Sequence, residues 1–138
     1  MVWLFKPQND SIEKILQRLK YFAMSIASSR AATMHFATGK GTELINLSIR
    51  QRKAIYLVSK EAINNAVKYA ECTNIYFHLT PQGQGWKLQI RDDGKGFLPT
   101  ANKNGNGLKN MYARADEIGA RFKIQSKEDA GTIIVMEL

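Results

Sequence analysis

The chain has 138 residues, 44% of them hydrophobic and 23% charged, with one cysteine and a formal charge of +8. That is enough for one domain with a real core, and no run approaches the ~18 apolar residues of a membrane span, so no membrane contact is expected. Cys72 has no partner for an internal disulfide, which fits a reducing compartment. The basic residues Lys6, Lys14, Arg18, Lys20, Arg30, Arg50, Arg52 and Lys53 are spread through helical stretches without aromatic interleaving, which reads as a generally basic surface, so no direct nucleic-acid binding is expected either.

Residues 1–10 read as the tail of something larger, with Trp3, Leu4 and Phe5 apolar and Pro7 interrupting a helix. Asn9, Asp10 and Ser11 offer caps, and Ile12, Ile15, Leu16, Leu19, Phe22, Ala23 and Ile26 recur at helical spacing, predicting a helix over 11–29. Residues 31–38 fit a strand, Gly39-Lys40-Gly41 a turn, and Glu43 to Ser48 a short second strand or extended segment. A long helix follows over 49–70. Thr73–Thr80 and Trp86–Arg91 read as a hairpin joined by a turn from Pro81 to Gly85. A polar, glycine- and asparagine-rich loop then leads to a helix over 108–118, closed by Gly119 as a C-cap. Arg121–Ser126 and Thr132–Leu138 complete the chain as strands around Asp129-Ala130-Gly131. The last of these is mostly apolar and is expected in the sheet interior, buried. Helices over one face of a mixed sheet make a two-layer α/β sandwich.

Three stretches carry chemistry. The first is Glu61 to Tyr69, E-A-I-N-N-A-V-K-Y. At 100° per residue Glu61, Asn65 and Lys68 fall within ~60° of one another, while Ile55, Tyr56, Ser59, Ile63, Ala66 and Ala70 lie opposite, on the side that packs on a core. A carboxylate, a neutral oxygen donor and an ammonium on one stripe suit a metal–phosphate; they also suit a plain solvated face. The second is Asp92-x-Gly94-x-Gly96 at a strand end, where an aspartate can accept from an exocyclic amine and glycines let backbone approach a ligand; an ordinary turn has the same letters. The third is Gly105-Asn106-Gly107-Leu108, whose free N–H groups at a helix start attract phosphate. No Gly-x-Gly-x-x-Gly turn or phosphate-loop motif occurs.

In this order and spacing, with Gly131-Thr132 entering the last strand, the motifs resemble those of the GHKL (Bergerat-fold) ATPases. In detail they are similar to the ATP-binding catalytic domain of sensor histidine kinases. Glu61 to Tyr69 looks like the kinase N-box, and Leu108-x-x-Met111-x-x-Arg114-Ala115 followed by Gly119 is similar to the run after the lid in the nitrate-sensor class. The resemblance spans roughly 44–138. It implies a Bergerat sandwich with about three helices, ATP and Mg²⁺ as nucleotide and metal, and an ATP lid over about 94–107.

Carried over by position, the resemblance makes Asn65 the Mg²⁺ ligand and Glu61 the polarising base. Lys68 would contact phosphate, Tyr69 would lie against the nucleotide, and Asn64 would be a second polar contact. Asp92 would hold the adenine amino group with Thr132 in support, above room left by Gly94 and Gly96. Gly105, Gly107 and Leu108 would form the hinge and phosphate nest. Phosphoryl transfer would go to a histidine on a dimerisation domain outside this chain, because His35 and His78, the two histidines present, both fall in predicted strands. The opening residues resemble the end of a dimerisation helix in hybrid sensor kinases, which implies a stub over 1–10 and a catalytic domain over 11–138. Such a fragment is expected to bind nucleotide with little autophosphorylation. Its parent would be a homodimer anchored in the cytoplasmic membrane, with this domain in the cytoplasm and a response regulator downstream. Another GHKL ATPase, an anti-sigma serine kinase, and a nucleotide-binding scaffold remain the alternatives.

Overall fold

The stripe predicted for 11–29 forms helix α1 (Ile12–Ala27), with Ile12, Ile15, Leu19 and Ala23 buried at i, i+3, i+7 and i+11. In the computed structural model, which describes residues 12–27, 32–69, 71–96 and 107–138, this helix packs beside α2 (Ile49–Tyr69). The expected stub over 1–10 lies outside the described residues. Strand β1 (Thr33–Thr38) follows α1, the hairpin β2 (Asn74–Gln82) and β3 (Gly85–Asp92) follows α2, and α3 (Gly107–Glu117) precedes β4 (Arg121–Ser126) and β5 (Thr132–Glu137). The sheet order is β1-β2-β3-β5-β4, with β1 parallel to β2 and the other pairs antiparallel. The three helices cover one face, giving the expected two-layer sandwich on a mixed sheet.

Strand alternation decides what fills the middle. Ile75, Phe77 and Leu79, then Trp86, Leu88 and Ile90, then Ile134 and Met136 face the helices and are buried. The intervening residues lie on the open face, where Tyr76 stacks with His35 at 4.7 Å and carries the Arg91 guanidinium 4.4 Å from its ring centroid. β5 is interior, between β3 and β4, but only alternate residues are buried, because among the described residues no helix covers its second face.

Three expectations need correction. Of the strand or extended segment expected over 43–48, no strand forms: Thr42–Leu44 is a 3₁₀ turn, and 45–48, extended at Ile45, runs without regular structure into α2. The reason is local. Thr42 Oγ1 and the Gly39 amide both bond the Leu79 carbonyl, the acceptor that an added strand would need. Ser48 then caps α2: its Oγ accepts from the Gln51 amide at 3.1 Å while Gln51 Oε1 accepts from the Ser48 amide. The β2–β3 turn is also shorter than predicted, since Pro81 and Gln82 stay in the strand and only Gly83 and Gln84 turn. Leu79 gives its carbonyl to Gly39 on the β1 side, so the missing N–H of Pro81 points the same way, beyond the end of β1. Finally, Arg52 is no surface cation. It is 3% exposed, and its guanidinium donates to the Leu47 carbonyl at 3.2 Å.

Gly119 closes α3 as expected, at φ +70° with its amide on the Asp116 carbonyl. If α1 folds with the sheet, Leu19→Ala, at a fully buried position, lowers the unfolding free energy by about 2–5 kcal/mol in urea titration. No loss would detach α1 from the domain.

Candidate functional site

Helix α2 presents two faces. Ile55, Tyr56, Ser59, Ile63 and Ala66 are buried against the sheet and α1, as the periodicity predicts, while Glu61, Asn64 and Asn65 are half-buried and Lys68 is exposed. The start of α3 lies directly on this stripe. A Cβ on Gly107 would fall on the Glu61 carboxylate and lie 3.4 Å from Asn65 Nδ2, so the glycine lets the α3 backbone approach both side chains as they stand. Glu61, Asn65 and Gly107, named from three separate letters of the sequence, therefore form one cluster. Leu108 follows, half-buried against the core. Tyr69 is the last residue of α2; its side chain, and Gly105 with the rest of 97–106, lie outside the described residues.

The second cluster stands at the end of β3. Asp92 and Thr132 are register partners on the helix-facing side, 8% and 6% exposed. The Gly94 amide donates to Asp92 Oδ1 at 2.9 Å, and Thr132 Oγ1 shares a 2.8 Å hydrogen bond with Ser126 Oγ. Burial pushes the Asp92 carboxyl above the usual range; the Gly94 and Thr132 amides oppose this, and the Asp93 charge adds to it. Gly96, at φ +68°, does not open space, because a Cβ there would strike the Lys127 carbonyl. It seats the loop against the β4–β5 turn instead. Cys72 ties the two clusters. Its thiol donates to the Ala66 carbonyl, one residue past Asn65, and is pushed up to about 11 by burial and then by the charges of Asp92 and Asp93.

Two features escaped the sequence reading. A cavity of about 260 Å³ lies on the other side of Glu61, lined by Phe22, Leu57, Lys60, Glu61, Asn64, Asn110, Met111 and Arg114. The helical spacing Leu57–Lys60/Glu61–Asn64 traces its α2 wall, but the facing residues come from α1 and α3, which only the packing brings there. The other is Asp93, an ordinary turn residue by its letters. Its carboxylate accepts from the Thr73 and Asn74 amides at 2.8 and 2.9 Å and from Asn74 Nδ2 at 2.9 Å, which holds it below the usual carboxylate range. The hairpin register, which sets the start of β2 opposite the end of β3, was the signal for it.

A buried acid with a raised pKa weakens the fold once it ionises. Asp92→Asn keeps an oxygen for the Gly94 amide and removes the charge. It is therefore expected to raise the melting temperature by a few degrees at pH 7, with the gain fading as pH falls toward the unfolded carboxyl value of about 3.9. Thermal unfolding between pH 4 and 7 checks this; a variant less stable at neutral pH contradicts it.

Known proteins match this architecture. The sensor protein VraS of Staphylococcus saprophyticus is 40% identical over 81 residues, which are 58% of this chain and 23% of that protein. The chain thus spans under a quarter of the curated relatives' length. Among solved structures, the histidine kinase domain of the Erythrobacter litoralis blue-light activated kinase EL346 superposes with a TM-score of 0.69 at 16% identity, covering 90% of this chain and 60% of that one. The Acinetobacter baumannii histidine kinase AdeS superposes with a TM-score of 0.73 at 14% identity, covering 98% and 71%. The family model described as histidine kinase-, DNA gyrase B- and HSP90-like ATPase matches residues 50–138, a span that holds α2 with its polar stripe, the β3 terminus and the start of α3, and the chain belongs to that family.

Proposed function

We propose that this chain is the ATP-binding catalytic domain of a sensor histidine kinase, transferring the γ-phosphoryl group to a histidine on a dimerisation segment of the same protein. The observation that carries the reading is the placement of Gly107 on Glu61 and Asn65, which brings a helix start, a carboxylate and an amide oxygen to one point. In the family to which the chain belongs, that point is where nucleotide phosphates are handled. VraS, named a sensor protein, supports the sensor assignment.

The residues fit the nucleotide. Asp92 is an anionic acceptor in a dry setting, suited to an exocyclic amine, and the amides of Gly94 and Thr132 fix its direction. Thr132, locked by Ser126, supports it from the neighbouring strand. Gly94, two residues on, carries the amide that meets Asp92 Oδ1 and would leave room beneath the base. Lys68, exposed in the last turn of α2, faces solvent where phosphate charge would need neutralising. Gly105, Gly107 and Leu108 would supply backbone N–H groups to the phosphates at the α3 start, Asn64 a second amide, and Tyr69 a ring beside the nucleotide.

Among the described residues no cluster of three His, Cys, Asp or Glu side chains forms a metal cage. Asn65 offers one neutral oxygen, which suits Mg²⁺, an ion that keeps waters and phosphate oxygens as most of its ligands. When bound, Mg²⁺ supplies charge neutralisation on the phosphate oxygens. Glu61 accepts or orients the proton of the acceptor imidazole as its nitrogen attacks the γ-phosphorus; the bond to the β-phosphate oxygen breaks and ADP leaves. The cavity lined by Phe22, Leu57 and Met111 opens on the opposite side of Glu61 and offers the acceptor its approach. We further read the parent as a membrane-anchored homodimer that passes the phosphoryl group to a response regulator, with this domain in the cytoplasm. No described helix is long and apolar enough to cross a membrane.

Calorimetric titration of a non-hydrolysable ATP analogue into the 138-residue chain, with and without Mg²⁺, is the direct test. Saturable binding that is lost in Asp92→Asn is the expected result; no binding by the unmodified chain removes the nucleotide reading. In the longer protein bearing the acceptor, Glu61→Gln should leave nucleotide binding intact and slow transfer by about 10²–10⁴-fold. Unchanged transfer would take the base role from Glu61.

A further inference from the structure

Asp92 and Asp93 are adjacent in sequence and opposite in placement. Strand alternation sends Asp92 into the helix-facing layer and Asp93 to the exposed side. The Asp93 carboxylate is held by Thr73 and Asn74 at the entry to β2, and its own amide donates to the Asn74 carbonyl at 3.2 Å. Asn74 in turn bonds His35 Nε2 through Oδ1 at 2.9 Å, and the Thr73 carbonyl takes the Thr33 amide. Asp93 is thus a knot joining the starts of β1 and β2 to the end of β3.

The chain is tied again two residues further on. The Asp129 amide donates to the Lys95 carbonyl, and Gly96 lies against the Lys127 and Gly131 carbonyls of the β4–β5 turn. Between the two ties sits Gly94, whose amide fixes Asp92 Oδ1. The direction in which Asp92 offers its oxygens therefore depends on where Asp93 holds the backbone.

We propose that Asp93 is a positioning residue for base recognition: by tying the loop to Thr73 and Asn74 it sets the Gly94 amide, and through it the Asp92 carboxylate, for an exocyclic amine. This rests on the assignment of Asp92 to the adenine amino group. Asp93 has no access of its own to the base, because its side chain is on the far side of the sheet. Its effect must appear as lost discrimination at the amine rather than as lost grip on phosphate.

The probe pair is ATP against ITP, which carries a carbonyl where ATP carries the amine, with binding to the 138-residue chain measured by calorimetry. The unmodified chain should prefer ATP. Asp93→Ala should reduce that preference about 10-fold, chiefly by weakening ATP, while ITP affinity changes little. Asp93→Asn keeps an oxygen for the Thr73 and Asn74 amides and should restore most of the preference. If Asp93→Ala does not fold, Asn74→Ala, which removes the side-chain bond to Asp93 together with the bond to His35 and leaves the Thr73 and Asn74 amides on the carboxylate, gives the readout: a partial loss of preference is expected and an unchanged one overturns the proposal. Equal weakening of ATP and ITP in Asp93→Ala also overturns it, since that is the mark of a general structural role. An unmodified chain indifferent to the two nucleotides overturns the adenine assignment and the proposal with it, whereas discrimination that survives Asp93→Ala overturns the proposal alone.

Discussion

A carboxylate in the layer between a sheet and its helices is expensive unless fixed donors meet it, and Asp92 is the point at which this fold accepts that expense. Much of the surrounding sequence follows from it. Gly94 must come close enough to donate its amide. Gly131, at φ +76°, must let the β4–β5 turn pass the Asp92 carbonyl, where a Cβ would collide. Thr132 must be small and polar, with its hydroxyl committed to Ser126. The stability given up at one residue leaves a buried acceptor held by two backbone amides, the feature on which the proposed reading of Asp92 rests.

The same economy shapes α2. Its buried stripe carries Ile55, Val58, Ala62, Ile63 and Ala66, a mixture of large and small side chains that lets the helix lie close on β3 and α1. Its other stripe then stands at a fixed height above the sheet, where the start of α3 meets it. The packing of α2 against α3 therefore brings the Gly107 backbone up to Glu61 and Asn65.

The long helix, both hairpins, α3 with its glycine cap and the two-layer arrangement were legible because each has a local cause: a periodicity, a turn residue, a capping pair. The polar stripe was legible as a stripe, and resemblance to a kinase motif gave its members roles. The strand alternative over 43–48 failed for reasons the local letters do not carry: the Leu79 carbonyl, on a strand far along the chain, is already taken, and Ser48 serves as a cap for α2. Arg52 was misread for a related reason: a helical cation is normally solvated, and only the packing of α2 shows this one enclosed. The cavity beside Glu61 was invisible because Phe22, Leu57 and Met111 belong to three different helices.

β1 is joined to β2 in parallel, so the intervening chain must complete α2 before the pair can form, whereas β2–β3 and β4–β5 are hairpins closed by short turns. Loop closure disfavours distant contacts more than near ones, so the hairpins have the shorter search and β1, with α1, docks against an assembled core. The order reverses on opening: an edge strand and the helix packed outside α2 can leave without breaking the β2-β3-β5 centre of the sheet. When they leave, Phe22 leaves the wall of the cavity beside Glu61, while Asp92, Gly94 and Thr132 stay with the inner strands. The cavity wall and the Asp92 cluster thus differ in permanence: the cluster is built into the central strands, and the Phe22 wall exists only while α1 is closed over α2.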